Sequence, residues 1–280
     1  MASFTNQATL RYQGSEIRSN VVTGELLSGV SMTKTCVESA YAPGERLTYI
    51  VGLVNNSGGT LTDLTLTDDL GALTVGGQTV YQLSYVAGSA TLFVNGVQQP
   101  VTAAAGPPLE FTGISLPAQG SAVLVYDATV TEYAQPTVGG SLTNTVTVND
   151  TARAEDGSAD WTLPVAEQPL LEIVKELSPS GVQPNESLTY TFTLRNYGNT
   201  ATDDTLVLSD VFQPALQSIA VTLDGQPLVA GTDYTYTPAS GAFETAQGVL
   251  SAVAATSVQQ PDGSWQTTPS EQVLTVTGTV

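Results

Sequence analysis

The fold of this chain is decided by residues 31–70, SMTKTCVESAYAPGERLTYIVGLVNNSGGTLTDLTLTDDL, together with residues 171–212, LEIVKELSPSGVQPNESLTYTFTLRNYGNTATDDTLVLSDVF. In both stretches Thr alternates with apolar residues, and clusters of Gly, Pro, Asn and Asp separate the alternating runs. A period of two between such turn residues is typical of strands in antiparallel sheets. We therefore predict an all-β chain built from immunoglobulin-like β-sandwiches.

The two stretches are copies of one repeat. Four shared positions keep their order: Lys34 and Lys175, Tyr49 and Tyr190, Asn55 and Asn196, and, after one inserted residue, Asp68 and Asp210. Further along, VLVYDATV at 123–130 matches VLTVTGTV at 273–280. Self-similarity of this kind indicates a tandem of homologous units. We predict a first sandwich over 31–150, a connector over 151–166 and a second sandwich over 167–280.

The N-terminal segment matches the end of the first copy. Residues 1–27 align with 139–165, which places Asn6 on Asn144, whereas the second copy has no such segment before Val280. The order is therefore permuted, and residues 1–30 are predicted to be a donor strand and its connector. A sandwich without its last strand exposes an apolar groove and unpaired backbone groups, which an added strand fills.

The donor strand is predicted in residues 1 to about 12. Its alternating positions are Phe4, Asn6, Ala8 and Leu10. We expect residues 1–25 of one subunit to complete the second sandwich of a neighbour. A head-to-tail contact of this kind propagates an open filament unless the rotation closes a ring.

Composition excludes several classes of function. The 280 residues carry 26 acids against 7 bases, a net charge of −19, which disfavours binding to nucleic acid or to anionic membranes. Histidine is absent, which removes His-based catalytic triads and most transition-metal sites. The sequence contains no run of 18 apolar residues, so membrane insertion is not predicted. The N-terminus lacks the pattern of a signal peptide. We expect no cofactor and no metal.

Cysteine and lysine are both rare. The single cysteine, Cys36, allows no internal disulfide; it either cross-links subunits or fills a small buried position. Of the seven basic residues only Lys34 and Lys175 are lysines, and both occupy the same repeat position. This placement indicates a role that requires an amine rather than any positive charge. The strand pattern leaves open which face each lysine occupies.

Partners for an amine recur in both copies. Asp68 or Asp210 ends the central strand, and Asn144 or Asn6 lies in the terminal strand. A spontaneous Lys–Asn isopeptide bond requires such a trio, because burial favours the neutral amine and the protonated acid. The acid would polarise the amide carbonyl and relay protons as ammonia leaves. The alternative is a buried Lys–Asp ion pair with a hydrogen-bonded asparagine that sets sheet register without covalent chemistry.

The second trio would be intermolecular. Lys175 and Asp210 need an asparagine, and the sequence contains none after Asn199, so Asn6 from a neighbouring subunit is the candidate. The first trio of Lys34, Asp68 and Asn144 lies within one copy. We therefore predict one isopeptide bond within each subunit and one at each junction.

The repeat resembles a known bacterial surface domain. The sequence K-T before a long turn, then P-G-E-x-L-T-Y, then L-T-D-x-L, and finally T-N-x-V-T-V resembles the repeat called domain of unknown function eleven. Two such repeats in a chain of this size resemble the subunits of endospore appendages. The resemblance implies a fibre subunit on the spore surface or in an extracellular appendage. Since the sequence shows no signal peptide, we expect it to be assembled in the mother cell and released by lysis. Sortase-pilin and adhesin domains form isopeptide bonds with a lysine, an acid and an asparagine on three strands. The resemblance implies the same chemistry for this chain.

We therefore expect a structural subunit that polymerises with copies of itself. The main alternative is an adhesin-like binding module for a glycan or protein, with its N-terminus folded back on itself, since fold alone does not determine function. An enzyme is disfavoured, because without histidine only a glycosidase-like carboxylate pair remains.

Overall fold

The computed structural model describes residues 2–26, 29–150 and 155–280; residues 1, 27–28 and 151–154 lie outside this description. The described residues are all-β and contain no helix that could cross a membrane. They form two compact units. The first comprises residues up to Ala134 together with Ser141–Pro164, and the second comprises Gln135–Gly140 with Val165–Val280.

The N-terminal segment is a hairpin rather than a single strand. Its strands are β1 (Ala2–Asn6), β2 (Thr9–Tyr12), β3 (Ser15–Arg18) and β4 (Val22–Leu26). β1 pairs with β4, which sets Asn6 opposite Val22, and β2 pairs with β3. Gln13 and Gly14 connect β2 to β3 with positive φ angles of 49° and 82°. Positive φ at both central residues is characteristic of the tight turn that matches strand twist.

The first unit is a β-sandwich. Its strands are β5 (Val30–Cys36), β6 (Arg46–Asn55), β7 (Leu61–Asp68), β8 (Ala72–Val75), β9 (Gln78–Tyr81), β10 (Leu83–Tyr85), β11 (Thr91–Val94), β12 (Val97–Gln99), β13 (Thr102–Ala104), β14 (Leu109–Leu116), β15 (Ser121–Val130), β16 (Ser141–Asp150) and β17 (Glu155–Pro164). One sheet has the order β12-β11-β15-β6-β5, with β10 also on β15. The other has the order β13-β14-β7-β16-β17. β8 and β9 form a separate pair.

Alternation along the central strands builds the core. In β6 the buried side chains include Leu47, Tyr49 and Val51, and the residues between them are more exposed. Strand β16 of the facing sheet alternates in the same way, so that Val146 and Val148 are buried. This is the pattern that the Thr-rich alternation predicts.

The repeated asparagine has a structural role. Asn55, at the end of β6, donates from Nδ2 to the carbonyl oxygens of Gly59 and Pro117, at 2.8 Å each. Asn196 in the second unit donates to Thr200 and Val253 in the same way. Buried carbonyl groups at a chain corner require such donors. The match between the two asparagines therefore reflects a shared corner of the fold.

Residues 155–164 differ from the expected connector. They form β17, which pairs with β16 along its length, from Ser141 opposite Pro164 to Asp150 opposite Glu155. β17 also packs close to β5: a Cβ on Gly157 would lie 3.3 Å from the Met32 sulfur. The first sandwich is thus closed by a β16–β17 hairpin.

The second unit has a larger and a smaller main sheet. Its strands are β18 (Leu171–Ser178), β19 (Ser187–Asn196), β20 (Ser209–Val211), β21 (Gln217–Leu223), β22 (Gln226–Pro227), β23 (Tyr234–Thr237), β24 (Ala242–Thr245), β25 (Thr256–Gln259), β26 (Trp265–Thr268) and β27 (Ser270–Thr279). The sheets have the orders β18-β19-β27-β21-β22 and β20-β24-β23, and β25 pairs with β26.

The smaller sheet stops at β20. In the first unit, β7 pairs with β14 on one side and with β16 on the other. Its counterpart β20 pairs with β24, and no described strand lies on its other side. The edge that β16 covers in the first unit is therefore open in the second.

Candidate functional site

A buried ion pair lies between the two sheets of the first unit. Lys34 on β5 and Asp68 at the end of β7 meet with Nζ 2.6 Å from Oδ2, and both side chains are fully buried. Burial lowers the pKa of Lys34, although the nearby carboxylate of Asp68 opposes this shift. The strand pattern left open which face Lys34 occupies, and the structure places its side chain in the core.

Asp68 is held by two further donors. The backbone N–H of Leu70 donates to Oδ1 at 3.0 Å, and the Tyr126 hydroxyl on β15 donates to Oδ2. The carboxyl group therefore joins three strands, β5, β7 and β15. A buried carboxylate needs this number of partners to offset the loss of water.

Asn144 completes the cluster from β16. Its Nδ2 donates to the Tyr126 hydroxyl at 3.3 Å, and its side chain is fully buried. Its Oδ1 makes no hydrogen bond to any described residue. A buried oxygen without a hydrogen-bond partner is uncommon in native proteins, and a catalytic role is one of the explanations for it.

Aromatic rings enclose the ion pair. The rings of Tyr49 and Tyr126 stack with centroids 5.6 Å apart, and Phe111 lies 5.1 Å from Tyr126. Lys34 Nζ is 5.0 Å from the Tyr49 ring centroid. Burial raises the pKa of both tyrosines far above the usual value, so both hydroxyls stay protonated. The structure thus holds an amine, a carboxyl group and a primary amide together away from water.

The geometry of the trio differs in one contact from the arrangement that the sequence predicts. Lys34, Asp68 and Asn144 do lie in one cluster, on the three strands that the repeat alignment indicated. The expected contact from the acid to the amide carbonyl is replaced by a path through Tyr126. Sequence reasoning missed Tyr126 because the second copy has Val276 at this place, so the repeat gave no signal.

The second unit carries only part of the equivalent site. Lys175 Nζ contacts Asp210 Oδ2 and lies 4.6 Å from the centroid of the Tyr190 ring. The side chain of Lys175 is 42% exposed, whereas that of Lys34 is 0% exposed. The third predicted member, Asn6, is exposed on β1 in the first compact unit.

The residues predicted to form the donor strand are exposed in the hairpin. Phe4 is 53% and Leu10 63% exposed, and both Asn6 and Ala8 are also exposed. Their counterparts in the repeat alignment are all buried on β16: Leu142, Asn144, Val146 and Val148. The hairpin therefore presents an apolar face that the first unit buries at the equivalent place.

The strand that carries Lys175 is uncovered on its inner face. All residues of β18 are exposed, whereas β5 buries Val30 and Lys34. Leu171, Ile173 and Leu177, which share the face of Lys175, are each more than 40% exposed. Beside them lies a groove of about 350 Å³ lined mainly by aliphatic side chains. We call Leu171, Ile173 and Leu177 the apolar stripe of β18.

Metal ligands are not grouped in the part of the chain that the structure describes. No cluster of three or more Asp, Glu or Cys side chains with metal-binding geometry occurs there. The carboxylate of Asp68 is already occupied by Lys34 and Tyr126.

Cys36 lies next to the lysine strand. Burial and the hydrogen bond of its thiol to Glu38, 3.1 Å long, raise the pKa of Cys36 to about 12. At pH 8 roughly one thiol in ten thousand is then a thiolate. We expect iodoacetamide at pH 8 to leave Cys36 unmodified in the native protein and to modify it fully in denaturant. Native labelling at the rate of a free cysteine would contradict this.

No family model matches the sequence, and no curated protein sequence matches it. The chain is similar to the major pilin subunit BcpA of Bacillus cereus, with 11% identity, 96% of this chain and 73% of that chain covered, and a TM-score of 0.37. It is similar to the pilus backbone RrgB from Streptococcus pneumoniae, with 10% identity, 90% and 51% coverage, and a TM-score of 0.35.

A third similar structure is the collagen-binding domain from a Staphylococcus aureus adhesin, with 13% identity, 49% and 99% coverage, and a TM-score of 0.32. The chain spans about half the length of the pneumococcal pilus backbone. All three TM-scores are below 0.5, so these similarities carry no argument about function. The function has to be inferred from the side chains and sheet edges described above.

Proposed function

We propose that this protein is the subunit of an extracellular filament, in which the N-terminal hairpin of one copy completes the second sandwich of the next. The observation that carries this proposal is the contrast between β5 and β18. The two strands hold the same repeat positions, yet β5 is covered by the β16–β17 hairpin and β18 is uncovered. A matching hairpin from another copy would bury the apolar stripe.

The N-terminal hairpin pairs within one position of the register of the β16–β17 hairpin. In the first unit Asn144 stands opposite Trp161 in the β16–β17 ladder. Asn6, its counterpart, stands opposite Val22, one position from where the alignment of 1–27 with 139–165 would set it. β1 and β2 would therefore take the place of β16 beside β20, and β3 and β4 the place of β17 over β18.

The energetic gain of docking is mainly hydrophobic. Phe4 and Leu10 on the hairpin, and the apolar stripe on β18, are all exposed before assembly. Burying a large apolar side chain contributes about 1.5–3 kcal/mol. Backbone pairing along the free side of β20 would add hydrogen bonds and set the register. Because the donor and the acceptor are different surfaces, the contact repeats head to tail.

We further propose that isopeptide bonds make the fibre covalent. Within a subunit, Asp68 accepts a proton from Lys34, and the neutral amine attacks Cγ of Asn144. The bond from Cγ to Nδ2 breaks, ammonia leaves, and an amide joins Lys34 to Asn144. Full burial of the three side chains and the lowered pKa of Lys34 support this reaction.

At the junction, Lys175 would join Asn6 of the neighbouring copy with Asp210 as the acid. Docking would cover Lys175, which is partly exposed before assembly, and would create the desolvated site that the first unit already has. Covalent bonding would then follow assembly rather than precede it. The resemblance of the repeats to endospore appendage subunits makes the spore surface the proposed location.

The junction bond is tested with Asn6→Ala, with Asn20→Ala on the same hairpin as the matched control. Docking should survive in both variants, because Phe4 and Leu10 are unchanged, so both should form filaments by negative-stain electron microscopy. After boiling in detergent we expect a ladder of multimers from wild type and Asn20→Ala, and monomers from Asn6→Ala.

Two results would contradict this part of the proposal. Wild-type filaments that dissociate fully in detergent would leave docking without a covalent bond. A Lys175–Asn6 bond inside an isolated monomer, found by mass spectrometry of tryptic peptides, would replace the fibre by a cyclised binding module.

A further inference from the structure

We propose that Tyr126 is a catalytic residue of the Lys34–Asn144 reaction, passing a proton from Asp68 to Nδ2 of the departing amide. This inference rests on the cross-linking chemistry proposed above. It is carried by the position of one hydroxyl group, which contacts both the acid and the nitrogen that must leave. No other hydroxyl in the described residues bridges these two groups.

The hydrogen bonds form a continuous path. Lys34 Nζ donates to Asp68 Oδ2 at 2.6 Å, and the Tyr126 hydroxyl donates to the same oxygen. Asn144 Nδ2 in turn donates to the Tyr126 oxygen at 3.3 Å. Amine, acid, hydroxyl and amide nitrogen therefore follow one another without a gap.

The proton balance requires a relay at Tyr126. Lys34 begins as an ammonium group and ends as an amide N–H, so it gives up two protons. Once the amine has attacked Cγ, Nδ2 has a lone pair that can accept, so the Tyr126 hydroxyl turns to donate to Nδ2 and accepts from protonated Asp68. One proton thus passes from Asp68 through Tyr126 to Nδ2 and leaves as part of ammonia. The other remains on Asp68 as a carboxylic acid. An amide nitrogen leaves readily only when protonated, so this transfer is the step that a positioned acid accelerates.

A tyrosine suits this position better than water. The site is fully buried, and the hydroxyl can accept one proton while donating another. Its ring is fixed between Tyr49 and Phe111, which holds the oxygen in place. Burial raises the pKa of Tyr126, so the group acts as a neutral relay and does not lose its proton to solvent.

Tyr49 provides a matched comparison. Its ring stacks on that of Tyr126 and lies beside the same amine, but its hydroxyl, which lies near Asn144, makes no hydrogen bond to Asp68 and so does not bridge the acid and the amide. In the second unit, Val276 occupies the ladder position of Tyr126. The relay is therefore a feature of the first site, and we expect the junction reaction to proceed more slowly.

The test follows the intact mass of the full chain with time after purification. We expect wild type and Tyr49→Phe to be short by one ammonia at once. In Tyr126→Phe the Lys34–Asn144 bond should form about a hundredfold more slowly, which is the lower end of the rate loss expected when a general acid is removed. Tyr126→His, which keeps an accepting and a donating nitrogen, should recover part of the rate. Cooperative melting of each variant in an Asn144→Ala background checks that the unreacted sandwich is folded.

The outcomes separate this inference from the cross-link itself. A wild-type chain at its full calculated mass would defeat the isopeptide bond, and the relay with it. A wild type short by one ammonia, with Tyr126→Phe equally fast, would overturn the relay alone. The relay is also overturned if Tyr49→Phe is as slow as Tyr126→Phe, or if Tyr126→His is no faster than Tyr126→Phe.

Discussion

Deletion of residues 2–26 is expected to abolish filament formation and to leave soluble single subunits. The deleted hairpin carries the exposed apolar residues Phe4 and Leu10, and the apolar stripe of β18 would then have no partner. The first sandwich should keep its stability, because β16 and β17 already close it. Negative-stain electron microscopy and size-exclusion chromatography measure the result. Filaments of normal appearance from the truncated chain would refute hairpin docking.

A pair of point variants makes the same test without removing the hairpin. Leu10→Glu places a charge on the face whose counterpart, Val148, is buried, so we expect it to prevent docking. Thr9→Glu places the same charge on the opposite face, where the counterpart Thr147 is exposed, and should polymerise normally. Equal behaviour of the two variants would show that the face of the strand does not matter.

Lys34→Ala is expected to restore the full calculated mass of the subunit and to lower its melting temperature by about 6 to 20 °C. Without Lys34 the isopeptide bond cannot form, and Asp68 stays buried without a cation; relative to the unreacted ion pair this costs about 3–5 kcal/mol. For a domain of 150–250 residues each kcal/mol shifts the melting temperature by roughly 2–4 °C. Loss of a cross-link that closes a long loop adds to this effect.

Asn144→Ala is the matched control for the Lys34 variant. It removes the electrophile but keeps the ion pair, so its mass should also be the calculated one while its melting temperature falls less. The difference in melting temperature between the two variants gives the contribution of the ion pair separately from that of the isopeptide bond. If wild type and both variants show the calculated mass and Asn144→Ala melts like wild type, the cluster is a plain ion pair.

Much of the site was predictable from the repeat. The alternation of Thr with apolar residues predicted the sandwich, and that prediction is confirmed by the all-β fold. The equivalence of Lys34 with Lys175 and of Asp68 with Asp210 predicted the two lysine–acid contacts that the structure contains. These contacts could be predicted because equivalent positions in the two copies of a repeat take equivalent places in the fold.

Two features escaped sequence reasoning for identifiable reasons. Residues 155–164 fall within the predicted connector over 151–166, yet pairing with β16 makes them a strand. Sheet pairing often overrides local propensity in this way. Tyr126 was missed because it reaches the site from β15, a strand outside the predicted trio, and has no tyrosine counterpart in the second copy.

The strand period, the two copies and the residue types of the trio follow from the amino-acid sequence, because they depend on local alternation and on repetition. Which of the two lysines is buried depends on the packing of the folded chain. β5 and β18 are related in sequence, but the β16–β17 hairpin covers β5 and no described strand covers β18 in the same way. Burial is a property of what packs against a strand, and it sets the pKa of Lys34 and leaves Lys175 partly in water.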